Sequence, residues 1–451
     1  MNGTLAKRPN VVWIMSDQHR AQALGWNGDV NLCTPAIDNL ARSGVVFSNA
    51  VAGTPWCTPF RSALLTGMYP HQTGCTETPS RLDPRYRTVA QAFNDAGYHT
   101  AWVGKWHLAG SNSSDHRVPV DERGGFAYWR GYENNNKQND VWVYGGESEE
   151  SERLSDYETR SLSRMFLDHL ESQVTGHPDT PFFAVLSVQP PHSPYVPPDC
   201  ESVRPPADIT LRPNVPVSDT VQQKARRDIS GYAAMVEEVD RTVEAVWSGL
   251  RRLGVDRETY VIYLSDHGDM LGSHGQWEKS SPWEESIRIP FVIGCTGSHA
   301  HIQVGEVDHP LNHVDIAPTS LGLCGIDTPE AMVGYDFSHM VVHPDRRFPR
   351  HEARHTPPPE SALLQQIPRK FHPNSVNRAW RAVVTRDGWK YVCTPGNDWL
   401  LFDLNDDPNE MNNLCYNTRF QVQKERLHGE LVRRLEQTGD AFVLPDIALP
   451  A

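Results

Sequence analysis

Short apolar runs alternate along the chain with segments in which apolar residues recur at helical spacing. The runs typical of buried strands are residues 10–15, 45–47, 100–103, 181–188, 260–264 and 289–293. The segments with helical periodicity are residues 34–43, 89–96 and 229–253, the first of which Thr34 is placed to cap. This alternation predicts an α/β fold with a mostly parallel central sheet and helices on both of its faces.

Ionisable side chains follow four of the predicted strands. They are Asp17 after 10–15, Lys105 and His107 after 100–103, His192 after 181–188, and Asp266 and His267 after 260–264. In a parallel sheet, polar residues just beyond the carboxyl ends of the strands gather in one crevice, where ligands bind. The sequence therefore predicts a single polar site built from these four strand ends.

The composition divides the chain into a large and a small domain. Residues 1–345 carry the alternating strands and helices and form the predicted catalytic domain, in which the polar stretch 112–156 is expected to be a surface excursion. Residues 346–375 are rich in Pro, His and Arg and predict a linker or a surface loop. We expect residues 376–451 to form a C-terminal α+β subdomain with a small antiparallel sheet.

The elements of that subdomain can be read from its pattern. Apolar residues at 380–385 and 389–392 flank Asp387-Gly388, which predicts a β-hairpin with a tight turn. A further strand is predicted at 399–404, and a closing helix at 418–438. Together these segments account for the small sheet and the helix that covers it.

The charge balance excludes one broad class of partner. The 451 residues include 42 basic and 56 acidic side chains, for a net charge of −14. A general nucleic-acid-binding protein would present a basic face to phosphates, so nucleic acid is not an expected partner.

No apolar stretch reaches the ~18 residues of a membrane span, and the opening residues lack a signal-like apolar run. The sequence as it stands predicts a cytoplasmic protein with no membrane partner, or a periplasmic or secreted one if a leader has been removed.

One cysteine stands apart from the others. The eight cysteines include no C-x-x-C pair, so seven are expected to be reduced and mostly buried thiols. The eighth, Cys57, opens the segment 57–67, which reads CTPFRSALLTG. A cysteine, a proline two positions on, an arginine four positions on and a Leu-Leu-Thr-Gly extension resemble the signature of the type I sulfatases. In that family the cysteine is oxidised to Cα-formylglycine.

The resemblance covers nearly the whole chain in the family's order. Further matching segments are 14–17 (IMSD), 104–108 (GKWHL), 191–194 (PHSP), 265–268 (SDHG), Lys279 with 283–290 (WEESIRIP), and the terminal landmarks 389–391, 401–404, 407–408 and 413–414. The chain is identified as a member of the formylglycine-dependent sulfatases of the alkaline phosphatase superfamily. The implied fold is an α/β/α sandwich with a small C-terminal subdomain.

The resemblance also implies roles for individual residues. Cys57 would become the formylglycine nucleophile, and Arg61 would orient and stabilise it. Lys105 and Lys279 would neutralise sulfate oxygens, with Lys279 near the leaving-group oxygen. His107 would take the proton that triggers sulfate release.

Further residues complete the implied site. His192 would be the general acid for the leaving group, and it would also contact substrate together with Lys105 and Lys279. Asp266 would bind the metal and assist deprotonation of the nucleophile. His71 is a further candidate for lining the substrate pocket.

Elementary chemistry explains why these residue types belong together. A sulfate monoester is anionic and has a poor leaving group, so its hydrolysis needs charge neutralisation, an activated oxygen nucleophile and an acid. A thiol would form a stable adduct with sulfur. A hydrated aldehyde avoids this trap, because one hydroxyl attacks sulfur and the other, once deprotonated, expels sulfate.

A hard divalent cation suits the same task, since it lowers the pKa of the attacking hydroxyl and holds a sulfate oxygen. The candidate ligands are Asp17, Gln18, the modified Cys57, Asp266 and His267. We expect Ca²⁺ first. The family commonly has an acidic residue at the position of Gln18 and often an asparagine at that of His267, so Mn²⁺ and Mg²⁺ stay open.

The expected substrate is a sulfated small molecule or glycan, with a carbohydrate sulfate favoured over an aryl sulfate. The required partner is a formylglycine-generating or anaerobic maturation enzyme, even though Phe60 replaces a residue that is usually small in this family. Two alternatives remain open at this point. One is a phosphonate monoester or phosphodiester hydrolase with the same nucleophile, which Asp266-His267 fits equally well. The other is a catalytically inactive protein that binds sulfated glycans.

Overall fold

The computed structural model describes residues 8–199, 203–295, 302–344, 357–368 and 375–446. The strands within these ranges are β1 (Asn10–Asp17), β2 (Val45–Phe47), β3 (Ala50–Val51), β4 (His99–Lys105), β5 (Tyr128–Tyr132), β6 (Trp142–Gly145), β7 (Glu152–Arg153), β8 (Phe182–Pro191), β9 (Thr259–Ser265), β10 (Phe291–Cys295), β11 (Gly305–Val307), β12 (Leu311–Asn312), β13 (Ser361–Gln366), β14 (Trp380–Thr385), β15 (Trp389–Thr394) and β16 (Asn397–Asp403). The helices are α1 (Pro35–Ser43), α2 (Cys57–Thr66), α3 (Pro70–Thr73), α4 (Val89–Asp95), α5 (Glu158–Gly176), α6 (Asp219–Arg252), α7 (Glu284–Ile287), α8 (Ile316–Leu323), α9 (Ser338–Val341) and α10 (Gln421–Thr438).

Ten of the described strands form one central sheet in the order β11-β2-β10-β9-β1-β8-β4-β5-β6-β7. The run from β9 to β5 is parallel throughout, whereas β10 and β6 are antiparallel to their neighbours. β1 lies at the centre, with Val12 opposite Ala184 of β8 and Val261 of β9. The predicted mostly parallel α/β sheet is confirmed.

The two faces of the sheet bury different cores. Val12 and Ile14 of β1 belong to the core that packs against α1, α5 and α6. Their neighbours Val11, Trp13 and Met15 point the opposite way, into the core formed with α2, α4 and α8. Because side chains alternate along a strand, a strand buried on both faces has the continuous apolar sequence seen here.

Two details of the helices differ from the sequence-based expectation. Thr34 does not cap α1 with its side chain, because its hydroxyl accepts from the Gly25 amide and donates to Asp38. α6 begins ten residues before the predicted start at 229, since its first turns are largely polar. Helix length was therefore underestimated where few apolar residues marked the buried face.

The predicted surface excursion at 112–156 was wrong in part. β5 lies within it and pairs in parallel with β4, placing Trp129 opposite Trp102. β6 pairs antiparallel with β5, and β7 with β6. These strands are only two to five residues long, so none of them gives the long continuous apolar run that marks the central strands of the sheet.

A second sheet of four antiparallel strands, β13-β14-β15-β16, forms the C-terminal subdomain. The predicted hairpin is confirmed as β14 and β15, and the closing helix as α10. β13 lies within the segment 346–375, for which the sequence predicted a linker or surface loop, so this sheet begins before residue 376. Most of that segment, at 345–356 and 369–374, lies outside the described residues.

The small sheet is buried on both faces. One face packs against α10 and also contacts Ala63 and Tyr69 of the large domain. The other face packs against Val51 and Ile287. The subdomain is therefore joined to the large domain by an apolar interface close to α2.

The described residues contain neither a membrane-spanning helix nor a disulfide bond. None of their helices combines the length and apolar character needed to cross a bilayer. Their cysteines are all free thiols, and each of them except Cys33 is buried. Cys200 lies outside the described residues.

Candidate active site

Four adjacent strands of the central sheet end at one crevice. Asp17 is the last residue of β1 and Lys105 the last residue of β4. His192 directly follows β8, and Asp266 directly follows β9. Because β9, β1, β8 and β4 are consecutive and parallel, their carboxyl ends bring these side chains together.

The helix α2 delivers two further side chains to this crevice. Cys57 is its first residue and Arg61 follows one turn later, so both lie on the same face. Gly67 ends the helix in the left-handed conformation, with φ of 62°. All ten residues of α2 are buried, and Phe60 packs against His313 on the side away from the crevice.

We call the resulting group the strand-end cluster. Its members are Asp17, Cys57, Arg61, Lys105, His192, Asp266, His267 and Lys279. Every one of them is at most 7% exposed. Because the carboxyl ends of parallel strands are where ligands bind, the position of this buried charge makes the group the candidate functional site.

Cys57 lies at the centre of the strand-end cluster. Its Sγ is 3.2 Å from His267 Nε2, 3.5 Å from Lys279 Nζ and 3.8 Å from Asp17 Oδ1. Burial and Asp17 act to raise the pKa of this thiol, but Lys279, Lys105 and His267 lower it overall. The surroundings of Cys57 therefore stabilise a negative charge at this position.

Arg61 makes hydrogen bonds to residues of four strands or their ends, namely β1, β4, β8 and β9. Its Nη1 donates to the Lys105 carbonyl and to Ser187 Oγ, both at 3.0 Å. Its Nε donates to Asp266 Oδ2 and its Nη2 to Asp17 Oδ2, both at 3.3 Å. The guanidinium thus fixes the two carboxylates relative to each other.

Each carboxylate keeps its second oxygen for the centre of the crevice. Asp17 Oδ2 is held by Arg61 and by Lys105 Nζ at 2.6 Å, whereas Asp17 Oδ1 faces His267 Nε2 at 3.7 Å. Asp266 Oδ1 also faces His267 Nε2, at 3.6 Å. Burial acts to raise the pKa of Asp17, but Lys105 and the other cations around it hold that pKa well below its usual value.

These side chains suit a divalent cation. One donor atom from each of Asp17, Cys57, Asp266 and His267 lies within 4.8 Å of the others, and all four residues are buried. The Nδ1 of His267 is 3.0 Å from the Gly268 carbonyl, to which it donates, so in the neutral ring Nε2 is the nitrogen that offers a lone pair to an ion. Carboxylate oxygens with one imidazole match hard or borderline divalent ions.

Lys279 connects three other polar groups. Its Nζ donates to Gln18 Oε1 at 2.7 Å and to His192 Nε2 at 2.6 Å. Burial acts to lower the pKa of Lys279, but Cys57 and Asp17 raise it above its usual value. The pKa of His192 is held well below its usual value by burial and then by Lys279, so this imidazole is neutral here.

Gln18, a predicted metal ligand, directs its side-chain oxygen to Lys279 in this structure. Its amide nitrogen donates to Asp269 Oδ2 at 2.5 Å and to Glu278 Oε2 at 3.2 Å. The residue has a positive φ of 70°, which turns the chain sharply after β1. The carboxylates of Asp269 and Glu278 thus set the orientation of the Gln18 side-chain amide.

His107 lies beside Lys105 in a strained conformation, with φ of 61°. Its Nε2 is 3.4 Å from Asn112 Oδ1, and its buried Nδ1 has no hydrogen-bond partner in the described chain. Burial, then Lys105 and Arg61, hold the pKa of His107 well below its usual value. A neutral imidazole with a free nitrogen is able to accept a proton.

His71, the remaining predicted site residue, lies elsewhere. Its Nε2 is 3.0 Å from the Thr438 carbonyl, and its Nδ1 contacts the amide of Gln365. Both partners belong to the C-terminal subdomain. In the described structure, His71 thus contacts the domain junction and not the strand-end cluster.

Sequence reasoning missed two acidic residues, Asp269 and Glu278, that hydrogen-bond to residues next to the strand-end cluster. Asp269 accepts from the Gln18 amide and, at 2.6 Å, from the Tyr195 hydroxyl. Glu278 accepts from Ser193 Oγ at 2.8 Å. A signal existed for both acidic residues, since Asp269 follows Asp266 by three positions and Glu278 directly precedes Lys279.

Comparison with known proteins identifies the family. A sulfatase family model matches residues 9–326. An ulvan-active sulfatase of Formosa agariphila is 34% identical over 446 residues, which cover 98% of this chain and 84% of the relative. An endo-4-O-sulfatase of Bacteroides thetaiotaomicron is 30% identical over 97% of this chain and 94% of its own length. A solved structure from a study of glycosaminoglycan metabolism in the same species has a TM-score of 0.84 at 27% identity, covering 96% of this chain and 97% of the other. The chain therefore belongs to the sulfatase family, within the alkaline phosphatase superfamily.

Proposed function

We propose that this protein hydrolyses a sulfate monoester on a carbohydrate, with the oxidised side chain of residue 57 as nucleophile. The observation that supports this best is the set of groups around Cys57. Its Sγ is 3.2 Å from His267 Nε2, 3.5 Å from Lys279 Nζ and 3.8 Å from Asp17 Oδ1, and Asp266 belongs to the same candidate metal group. A nucleophile that adjoins both a cation site and an ammonium group suits attack on an anionic centre.

The proposed nucleophile is formylglycine, made from Cys57 by a maturation enzyme. Its hydrate supplies two hydroxyl groups, one to attack sulfur and one to release sulfate afterwards. Within the crevice, Arg61 orients residue 57 indirectly, because it holds Asp17 and Asp266 through their outer oxygens. Oxidation removes the sulfur and leaves oxygen donors at this position.

The proposed metal is a single divalent ion, with Ca²⁺ favoured and Mn²⁺ or Mg²⁺ as alternatives. Asp17, Asp266 and His267 would hold it together with an oxygen of residue 57. When bound, it would lower the pKa of the attacking hydroxyl and neutralise charge on the sulfate. Arg61 keeps both carboxylates in place whether or not the ion is bound, so the site is pre-organised.

His192 is the proposed general acid for the leaving group. Its Nδ1 is 2.6 Å from the Ser193 carbonyl, to which it donates, and its Nε2 accepts from Lys279 at 2.6 Å. The proton for the leaving oxygen would therefore pass from the Lys279 ammonium through Nε2 of His192. Neutral His107, whose carbonyl accepts from the hydroxyl of Thr58 next to Cys57, would accept the proton whose loss triggers sulfate release.

The relatives support a glycan substrate. One is named for its action on ulvan and another as an endo-4-O-sulfatase, and both span nearly all of this chain. These activities are those of the relatives. For this protein we propose a sulfated carbohydrate as the substrate class.

The modification and the activity can be tested in one preparation. The protein is produced with and without a formylglycine-generating enzyme, and the tryptic peptide containing Cys57 is weighed by mass spectrometry. We expect the aldehyde form and sulfate release from a panel of sulfated glycans only in the matured protein. If Cys57 stays an unmodified thiol in every host that has maturation activity, the binding-protein alternative is favoured. Full activity of a Cys57→Ala variant would exclude the proposed nucleophile.

The phosphonate or phosphodiester hydrolase alternative is favoured by one feature, the imidazole of His267 at the proposed metal site. Lys105 argues against it. All of these esters carry one negative charge, but a sulfate monoester has three non-bridging oxygens to be held and a phosphodiester or phosphonate monoester has two, so a further donor beside Asp17 suits the sulfate. Turnover of an aryl sulfate is compared with that of an aryl phosphonate monoester. Faster turnover of the phosphonate ester would replace the sulfatase proposal.

A further inference from the structure

A second cavity lies apart from the strand-end cluster. It has a volume of about 530 Å³ and opens between the turn that follows β1, the start of β10 and residues 210–212. None of the predicted catalytic or metal-binding residues lines it. Its size is that of a small-molecule site.

The deepest charged group of this cavity is Arg20. The residue is only 2% exposed, and its guanidinium makes no hydrogen bond or ion pair with any described residue. Burial acts to raise the pKa of Glu285, but Arg212, Asn214 and then Arg20 lower it, so Arg20 interacts electrostatically with this carboxylate. The Nε and Nη1 of Arg20 nevertheless have no acceptor within hydrogen-bond distance among the described residues, which is costly for buried donors.

The other two arginines of the cavity are already paired. Arg212 donates to Glu285 Oε1 at 2.8 Å, and Arg288 donates to Glu284 Oε2 at 2.7 Å. Arg20 is thus the exception in a cavity whose other guanidinium groups have carboxylate partners. The contrast indicates that the acceptor for its buried N–H groups is one that the described residues lining the cavity do not supply.

The acidic side chains that line the cavity do not fill this role. Glu284 is shared between Arg288 and Lys390. Asp29 accepts from the backbone amide of Asn31 at 2.8 Å, and Glu306 is exposed. None of them forms an ion pair with Arg20 in the described structure.

We propose that this cavity is a second anion site, in which Arg20 binds a sulfate or carboxylate group. The planar guanidinium presents paired N–H groups that match two oxygens of either group. Gln22 lines the same cavity. Its buried Oε1 accepts no hydrogen bond from a described residue, so it can accept one from a ligand hydroxyl. Trp26, 44% exposed, adds an aromatic surface at the rim.

The bound group could be a free ion or a substituent of a sugar, and this proposal does not depend on the proposed catalytic function. Three probes distinguish the sources: inorganic sulfate, glucuronate and uncharged glucose, each titrated by calorimetry at constant ionic strength. Binding of sulfate at the Arg20 site indicates a free ion. Binding of glucuronate alone indicates a carboxylate carried by a sugar.

The variants separate this site from the strand-end cluster, which is also expected to bind sulfate. Arg20→Met should weaken binding at one site at least tenfold and leave the other unchanged, whereas Lys279→Ala should do the reverse. Arg42→Met is the matched control, because Arg42 lies nearby on α1 with its side chain 58% exposed. It should leave both sites intact.

A direct measurement covers the case in which Arg20→Met does not fold. Crystals of the wild-type protein are soaked in selenate and in a brominated glycoside of glucuronate, whose carboxylate is free, and the anomalous difference map is inspected. A peak beside Arg20 supports the proposal. Peaks confined to the strand-end cluster, or titrations of Arg20→Met that match the wild type for all three probes, would overturn it.

Discussion

Two buried groups of charged side chains in this protein have similar composition but different arrangements. The strand-end cluster contains carboxylates, a histidine and cations, and so does a second group at the domain junction. We call the second group the junction cluster and define it as His274, Glu284, Glu285, Lys390 and Glu410. His274, Glu285 and Glu410 each place a donor atom within 4.8 Å of the others, much as the strand-end ligands do.

The difference lies in where the charges are directed. In the junction cluster, Lys390 Nζ is 3.0 Å from Glu284 Oε1 and also contacts Glu410, while the Glu284 amide donates to Glu410 Oε2 at 2.7 Å. These contacts join the C-terminal subdomain to the large domain. In the strand-end cluster, by contrast, Asp17 and Asp266 use one oxygen each for Arg61 and leave the other facing Cys57 or His267.

Buried charge alone therefore does not identify an active site in this fold. The informative feature is a carboxylate whose second oxygen faces a nucleophile and not a structural cation. On this basis the strand-end cluster should control activity and the junction cluster should control stability. Variants in the two groups test this division.

The largest effect is expected at the nucleophile. Cys57→Ala should lower sulfate release by about 10⁴-fold or more, because no residue can replace the attacking oxygen. The thermal unfolding midpoint should stay within a few degrees of the wild type. Cys75→Ala is the matched control, since Cys75 is equally buried but has a pKa raised to about 11 by burial and lies outside the cluster. Equal losses in both variants would contradict the assignment.

The next largest effect should fall on stability. Lys390→Met leaves Glu284 and Glu410 buried without their shared cation, which should lower the free energy of unfolding by about 3–5 kcal/mol. Denaturant unfolding measures this change, and kcat at low temperature should remain within about twofold of wild type. Arg426→Gln removes an exposed pair with Asp387 and should cost under about 1 kcal/mol. A large fall in kcat with unchanged stability would break the comparison.

A smaller effect should appear in the pH dependence of stability. His313, beneath α2, belongs to neither cluster, and burial lowers its pKa to about 3. Its unfolded pKa is near 6.5, so the unfolded state binds more protons between these values and stability falls as the pH drops from 6.5 toward 3.

The variant His313→Leu isolates this contribution. Relative to wild type, it should gain about 1.4 kcal/mol of stability for each pH unit below 6.5. Urea unfolding at several pH values measures the difference. A constant difference between the two proteins from pH 7.5 to 4.5 would rule out this account of His313.

The smallest effect on activity is expected at Asp269, which holds the side-chain amide of Gln18 next to the strand-end cluster. Asp269→Asn would place an amide nitrogen against that of Gln18, so Gln18 would turn and no longer accept from Lys279. We expect kcat to fall about 10–100-fold with little change in KM. Tyr195→Phe removes the other hydrogen bond to Asp269 Oδ2 without disturbing Gln18, so it should cost less. Equal losses in the two variants would mean that the amide orientation is not the cause.

The sequence predicted the parts of the fold in which burial is complete. β1, β8 and β9 are apolar on both faces, so their composition alone distinguishes them from loops and surface strands. The short strands β5 and β6 and the junction strand β13 were missed as strands. Their side chains are buried by partners distant in the chain, and a local pattern does not record such partners.

The sequence by itself determined which chemical groups the site contains. The spacing from Cys57 to Arg61 places both on one face of a helix, and a polar residue just beyond each apolar strand fixes which edge of the sheet they share. These are local properties, because helical and strand periods are set by the backbone.

The tertiary structure alone decided how the groups are oriented. It directs the oxygen of Gln18 to Lys279, assigns His71 to the domain junction and leaves Nε and Nη1 of Arg20 without an acceptor in the described chain. It also separates the strand-end carboxylates from those of the junction cluster, which have the same composition. The reason is physical: hydrogen bonds and desolvation depend on atoms brought within about 3 Å by packing, and those neighbours come from distant parts of the chain.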